Sequence, residues 1–444
     1  MLASSGWLRD AGLEPETIED VEVYFEELRP ARAYIDRFFA DAAELGCSRA
    51  EVLHRSELTA SWQLASRGAA IAVKSLDRSL RFSLPELYTE TAPVLISLSP
   101  AVSMIAAGNT IMIKPSELAP RSAEAVKKII EQAFTPDEAA VVLGGPDVAQ
   151  EALALPFNHV CYVGGTRVGK IVMKAAAEHF AGVTLELGGK NPAIIDASAD
   201  IEDAARKIAF GRSIMAGQVC LAPDYVLVPA ALKDALVAAL AANFKAMYNP
   251  TDAGMRKSTD LSRIINTAHA KRIAGLIEDA KRKGAKVAFG GETDESARFI
   301  TPTILTEVSN EMDIAFEETF GPVLSILTYE TAEDAVNEIA KRPKPLGLYI
   351  FAQDRAAIDY FLDHTRSGSA AVNNTLTQAN VPTLPFGGCN HSGIGRLGGH
   401  AGFKEFSNGR AVVEDPIDPK QSPPAFYPPY PEAAKMFIRH MLAS

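Results

Sequence analysis

The chain reads as an α/β protein with open, mostly parallel sheets. From about residue 109 onward, short β-like runs alternate with helix-periodic stretches, and helices of ten or more residues between strands imply right-handed βαβ crossovers. Glycine pairs at Gly164-Gly165 and Gly188-Gly189 follow two of the strand-like runs, where turns are needed. In sheets of this kind, ligands are expected at the C-terminal ends of the strands.

The elements follow in order. Charged, helix-periodic sequence such as Val21 to Ala40 fills much of the first eighty residues. The apolar window from Pro93 to Gly108 holds several serines and a second proline, Pro100, and reads as protein core. Thr110 to Ile113 is a short strand, and Ser122 caps a helix whose stripe is Ala125, Ile129, Ile130 and Phe134. Ala139 to Leu143, His159 to Val163 and Val183 to Leu185 read as strands, with helices over Asp147 to Leu155 and from Gly165 to Ala177 between them. Further on, strands at Pro192 to Ile195, Tyr225 to Val228, Pro322 to Leu327, Leu346 to Phe351 and Ala370 to Val372 alternate with helices. Those helices are near Ile201 to Phe210, Leu232 to Phe244, Ala332 to Lys341 and Arg355 to Thr365. Residues 415 to 431 contain seven prolines and read as an extended strap, followed by a short amphipathic segment, Glu432 to Leu442.

Composition narrows the function. Of 444 residues, 47% are hydrophobic and 22% charged, a soluble globular mix long enough for two to three domains. A formal charge of −11 argues against a nucleic-acid partner, which requires a basic face. No signal peptide is visible, and no run of about 20 apolar residues supplies a membrane span. The four cysteines, Cys47, Cys161, Cys220 and Cys389, form no CxxC pair, so neither a disulfide framework nor a metal-ligand spacing is indicated. Reduced cysteines in a cytoplasmic protein are the simplest reading.

Two segments carry chemistry. Glu186 precedes Leu187-Gly188-Gly189-Lys190 at a strand end, where paired glycines let backbone approach a ligand. Alone, this is equally an ordinary Gly-Gly turn with a solvated glutamate. Cys220 lies in Ala216-Gly217-Gln218-Val219-Cys220-Leu221-Ala222-Pro223, a turn before a strand, where backbone N–H groups are expected to lower the thiol pKa. A lone cysteine is more often a small hydrophobe, and the other three fit that description.

The set of segments is more specific than any one of them. Besides these two, Lys114-Pro115-Ser116-Glu117, Tyr162 to Gly169, Glu317-Glu318-Thr319-Phe320-Gly321-Pro322 and Pro385-Phe386-Gly387-Gly388 with Ser392-Gly393-Ile394-Gly395 occur in one order. In that order the chain resembles the aldehyde dehydrogenase superfamily over about residues 93 to 413. Tyr225 to Pro229, Arg342 to Leu346 and the Tyr-Pro-Pro-Tyr tail are most similar to its class 3 and coniferyl aldehyde dehydrogenase branch.

The resemblance implies a Rossmann-type cofactor domain, an α/β catalytic domain and an oligomerisation tail. The corresponding divisions are 1–185, 186–384 and 385–444. It implies oxidation of an aldehyde, aromatic or medium-chain, to the acid with NAD, or with NADP in its place, in a homodimer. Cys220 is then the nucleophile and Glu186 the general base that activates water. Lys114 and Glu117 match the pair on the adenine-side ribose; a carboxylate near the 2′ position disfavours a 2′-phosphate. Gly164, Gly165 and Gly169 open the helix facing the pyrophosphate, although the spacing is not GxGxxG. The family commonly has a hydroxyl residue at Gly165, which leaves Thr166 to supply that bond. Leu187 joins the cofactor set, Glu318 matches the nicotinamide-side ribose ligand, and Phe320 packs near the nicotinamide. The oxyanion asparagine of the family falls, by counting, on Thr91 in Thr89-Glu90-Thr91-Ala92-Pro93. A threonine reaches less far, and losing one oxyanion donor costs about 10²–10³ in rate. This departure keeps open a catalytically impaired homologue acting as a binding or assembly subunit. A thiol esterase using the same two residues is a third reading.

Overall fold

The computed structural model describes residues 93–381, 383–414, 418 and 429–443. Thr91 and Cys47 lie outside these residues. The chain divides into a body ending at Ser407 and a C-terminal unit, Asn408–Ser444.

The body begins with helix α1 (Pro93–Ala106), then β1 (Ile111–Ile113), α2 (Pro120–Ala133), β2 (Ala139–Val141), α3 (Pro146–Leu153), β3 (His159–Val163), α4 (Thr166–Ala177) and β4 (Gly182–Glu186). Helix α2 starts two residues before the expected Ser122 cap. Pro120 occupies its first turn, where a missing N–H costs nothing, and Ala119 is the cap without a side-chain bond. Strands β1 and β2 pair in parallel, and β3 pairs in parallel with β4.

A second series follows: β5 (Pro192–Ile195), α5 (Ile201–Ser213), β6 (Tyr225–Pro229), α6 (Lys233–Tyr248), α7 (Thr267–Arg282), β7 (Lys286–Phe289), β8 (Thr293–Asp294), β9 (Phe299–Ile300) and β10 (Thr303–Thr306). It continues with β11 (Val323–Tyr329), α8 (Ala332–Ala340), β12 (Gly347–Phe351), α9 (Arg355–His364) and β13 (Ser369–Val372). Finally β14 (Gly393–Ile394) pairs antiparallel with β4, and α10 (Gly399–Glu405) closes the body.

The large sheet has the order β13-β12-β5-β6-β11-β10-β7, parallel except at the β10–β7 edge. Its central strands β5, β6 and β12 are apolar and buried on both faces, as a sheet covered by helices on both sides requires. Ala193 and Ile195 of β5 with Val226 and Val228 of β6 pack against Ile208 of α5 and Leu236, Leu240 and Phe244 of α6. The alternate residues, Ile194, Tyr225, Leu227, Leu348 and Ile350, pack against Ala335 and Ile339 of α8 and Ile358 and Phe361 of α9. The period of two along each strand thus sorts the side chains into two cores, each buried aliphatic contributing about 1.5–3 kcal/mol. Helix α7 and strands β7 to β10 were not expected from the sequence; α7 packs Ile273, Leu276 and Ile277 against Leu305 and Val323.

In the C-terminal unit, Glu432–Ala443 is a helix, α11, with Met436 and Leu442 exposed. Of the proline-rich strap, only Asp418 and 429–431 are described. Among the described residues, no helix is long and apolar enough to cross a membrane.

Candidate active site

The segment Leu187–Gly188–Gly189–Lys190–Asn191 sets the location of the site. It joins the C-terminal end of β4 directly to the N-terminal start of β5, so two sheets must meet there end to start. On the small-sheet side, Glu186 closes β4, its carbonyl accepting from the Gly164 N–H at 3.0 Å, and the Leu187 N–H donates to the Ser392 carbonyl at 3.1 Å. On the large-sheet side, Asn191 precedes β5, the Cys220 turn precedes β6, Gly321-Pro322 precedes β11 and Leu346 precedes β12. The expectation of strand C-termini therefore holds only for the small sheet. The large sheet presents its N-terminal ends, because the five-residue connection leaves no length for a crossover.

Glu186 is buried, 4% exposed, and neither carboxyl oxygen has a hydrogen-bond partner among the described residues. Burial pushes its pKa up to about 8, with the Arg396 guanidinium pulling against this and Glu405 adding to it. Gly387 leaves room for it, since a β-carbon there would stand 2.9 Å from Oε1. Arg396 is itself occupied by the carbonyls of Gly388 and Gly395, each at 2.7 Å. Glu405 accepts from Thr184 at 2.8 Å, and Thr184 Oγ1 lies 2.7 Å from His159 Nε2.

Cys220 is half-buried in a turn that follows three successive left-handed residues, Met215 (φ 51°), Ala216 (φ 54°) and Gly217 (φ 72°). Two of these carry side chains and are strained, so the surroundings must impose the shape. Buried Gln218 does part of this: its amide donates to the Met215 carbonyl at 2.8 Å and accepts from the Ile265 N–H at 2.9 Å. The N–H groups of Leu221 and Cys220 lie against the sulfur and favour its thiolate. They do not prevail. Burial, then the carboxyl groups of Glu318 and Glu186, push the thiol up to about 12, which corrects the expectation of a lowered pKa. Both carboxyls therefore contribute electrostatically at the same sulfur. Of the other described cysteines, Cys161 is also pushed up to about 12, by burial with Glu186 and Glu405 adding. Cys389 sits in the glycine loop, its N–H bonded to Ser392 Oγ at 2.8 Å.

Glu318 lies against the Gly188-Gly189 turn. A β-carbon on Gly188 would stand 2.2 Å from its carboxyl, and the Gly189 N–H donates to it. Burial first, then Asp224, raise its pKa to about 7. Phe320, two residues on, is held half-buried at φ 43°, a conformation a bulky side chain rarely adopts.

Beneath the turn is a buried ion cluster. Lys190 Nζ donates to Asp224 Oδ1 at 2.8 Å, Thr319 donates to the same carboxylate from both N–H (2.9 Å) and Oγ1 (2.5 Å), and Arg212 Nη1 lies 3.7 Å from it. Arg212 also donates to the carbonyls of Pro223, Gly217 and Gly321. Burial opposes ionisation of Asp224, but Lys190 and Arg212 outweigh it and hold the carboxyl below its usual range. Asp224 is thus the main counter-charge to two buried cations, with Glu318 adding at Arg212. Asp224→Asn is expected to cost about 3–5 kcal/mol by stranding both. Urea unfolding checks this, and a loss under about 1 kcal/mol contradicts it.

The remaining residues from the sequence fall on the rim of the small sheets. Lys114 and Glu117 form an ion pair of 2.7 Å just after β1, and that bond holds Glu117 below the usual carboxylate range. Gly165 caps α4 with no side-chain bond, and a β-carbon there would meet nothing within 4 Å. Gly169 serves packing instead: a β-carbon there would strike Leu187 Cδ2 at 2.8 Å, and Leu187 is buried against α4. Thr166 Oγ1 donates to the His391 carbonyl at 3.3 Å.

Residues 91–412 match the profile of the aldehyde dehydrogenase family. The chain belongs to that family. It is 41% identical over 350 residues to aldehyde dehydrogenase family 3 member A2 of Rattus norvegicus, covering 79% of this chain and 71% of that protein. To the dimeric, NADP-preferring aldehyde dehydrogenase of Canis lupus familiaris it is 40% identical over 348 residues, 78% of this chain and 74% of that one. The solved structure of the substrate-bound state of Staphylococcus aureus AldH superposes with a TM-score of 0.71 at 31% identity, covering 96% of this chain and 99% of that one. The resemblance read from the segments, and the α/β aldehyde dehydrogenase fold it implied, are thus borne out.

Four site residues of this aldehyde dehydrogenase escaped the sequence reading: Lys190, Asn191, Arg212 and Asp224. Arg212 left a signal, because it stands four residues after Ile208 on the buried stripe of α5, where a charge requires a buried partner.

Proposed function

We propose that this aldehyde dehydrogenase oxidises an aromatic, phenylpropanoid or medium-chain aliphatic aldehyde to the carboxylic acid with NAD(P)⁺, through a covalent adduct on Cys220. The observation that carries the reading is Glu186. A buried carboxyl with two unpartnered oxygens and a pKa near 8, contributing electrostatically at the Cys220 sulfur, is poised to take a proton at mildly alkaline pH.

The residues fit a dinucleotide. The bare N-terminus of α4 at Gly165 is open for a pyrophosphate, Lys114 and Glu117 offer a donor and an acceptor for ribose hydroxyls, and Glu318, whose charge reaches Cys220, would serve the nicotinamide half together with Phe320. Bound there, the nicotinamide supplies a hydride acceptor. Cys220 gives up its proton to solvent and its sulfur attacks the aldehyde carbon, forming a C–S bond and an alkoxide held by the Cys220 N–H, with Thr91 as the second donor. Loss of hydride from that adduct leaves a thioester on Cys220. Glu186 then takes a proton from water, the hydroxide adds to the acyl carbon, the C–S bond breaks, and acid is released. Glu318, held against the Gly188-Gly189 turn, would accept from a ribose hydroxyl of the bound nucleotide.

Within this reading, residues up to 185 bind the dinucleotide, 186–384 carry the chemistry, and 385–444 return to the cofactor domain and form the oligomerisation tail of a cytoplasmic homodimer. The Canis relative is named as dimeric, which supports the last point. Its name also says NADP-preferring, whereas Glu117 here is an ionised, exposed carboxylate that disfavours a 2′-phosphate. Glu117→Gln is expected to raise kcat/KM with NADP relative to NAD roughly fivefold to tenfold, the scale of one like-charge contact near water. An unchanged ratio removes Glu117 from nucleotide choice. The whole proposal is tested by oxidation rates with coniferyl aldehyde, benzaldehyde and straight-chain aldehydes against both nucleotides. Nucleotide binding without reduction by any of them contradicts it.

A further inference from the structure

Asn191 is buried, 1% exposed, and stands at the start of β5 directly under the Cys220 turn. Its Nδ2 donates to the carbonyls of Cys220 at 2.7 Å and Ala222 at 3.1 Å, while its Oδ1 accepts from the Gly347 N–H at 2.9 Å. This set fixes which end of the amide is which: turned over, it would set an oxygen against two carbonyls and a nitrogen against an N–H. The carbonyl between those two, of Leu221, accepts from the Tyr349 hydroxyl at 2.5 Å. Three consecutive carbonyls are thus tied down to the side chains of Asn191, just before β5, and Tyr349, in the middle of β12.

The peptide bond is planar and trans, so its C=O and N–H point in opposite directions. Holding the Cys220 carbonyl toward Asn191 therefore turns the N–H of the same peptide, that of Leu221, the other way. That N–H lies against the Cys220 sulfur. We infer that Asn191 is a positioning residue which, through the Cys220–Leu221 peptide plane, aims the Leu221 N–H at the sulfur. The inference rests on Cys220 being the nucleophile, and it extends that reading to a side chain that touches neither substrate nor cofactor. A strained turn needs such a restraint, since Met215 and Ala216 just before it both hold left-handed backbone.

The test reads the thiol directly. In Asn191→Asp, the bond from Gly347 is kept, but two donated bonds are replaced by carboxylate oxygens facing carbonyls, so the peptide is released or rotated. Alkylation of Cys220 by iodoacetamide, followed on its own peptide by mass spectrometry across pH, is expected to slow on the order of 10-fold or more at each pH. Alkylation of Cys161 and Cys389 in the same sample should be unchanged. Aldehyde oxidation should lose kcat with little change in KM. Should Asn191→Asp unfold, Cys161 becomes faster rather than unchanged; Asn191→Ser, too short to span both carbonyls, then carries the test with the same expected slowing. An unaltered Cys220 pH profile in a folded variant overturns the inference, as does collapse of both variants, which assigns Asn191 to stability alone. Because alkylation needs no turnover, a wild-type protein that oxidises no aldehyde defeats the reading of function while leaving the alkylation result to decide the role of Asn191.

Discussion

Cys220→Ala loses aldehyde oxidation by about 10⁴-fold or more while nucleotide binding persists, the scale seen when a covalent nucleophile is deleted. The size follows from the role. Without the sulfur no carbon–sulfur bond forms, and water would have to add to the aldehyde and then release hydride unaided. Fold stability should change little, because the turn is held by its carbonyls and by Gln218 rather than by the thiol. Fluorescence titration with NAD and NADP separates the two effects, and activity within tenfold of wild type removes Cys220 from the chemistry. The high thiol pKa sharpens the expectation for the resting enzyme: with the sulfur pushed up to about 12, alkylation of Cys220 should be slow before nucleotide binds.

Glu186→Gln is expected to cut steady turnover by about 10²–10⁴-fold while sparing a rapid first release of NADH. Glutamine keeps the shape but cannot accept a proton from water, so the thioester accumulates. The pH dependence has a definite sign. A carboxyl raised to about 8 is protonated and idle below that pH, so wild-type turnover should climb about tenfold per pH unit toward 8 and level off above it. The variant should lose that limb. Stopped-flow traces at several pH values report both the burst and the limb, and a steady rate equal to wild type contradicts the base assignment.

Much of the body was legible because its strands obey simple signals. Pro192 to Ile195 and His159 to Val163 are fully buried or sheet-paired apolar runs bounded by turn residues, and the structure ends them at those same residues. The span from Phe244 to Pro322 was not legible. Strand β7 is exposed along most of its length and lacks alternation, and α7 carries enough Lys, Arg and His to mask the stripe at Ile273, Leu276 and Ile277. At the site, the segments around Glu186, Cys220 and Glu318 could be found because each is a short local string. What those strings do to each other could not. The N–H groups beside Cys220 are local and favour a thiolate, but burial, and then Glu318 and Glu186 from distant positions, reverse the sign. Lys190 and Asp224 carry no local signal of burial, and only the fold brings them together with Arg212.

The most direct test is to mix Glu186→Gln with benzaldehyde and nucleotide, quench, and map the mass of the Cys220 peptide. The account predicts a benzoyl group on Cys220, two hydrogens lighter than the aldehyde adduct, formed in step with the NADH burst. A Cys220 peptide that stays unmodified while NADH appears, or an acyl group carried by another residue, contradicts it.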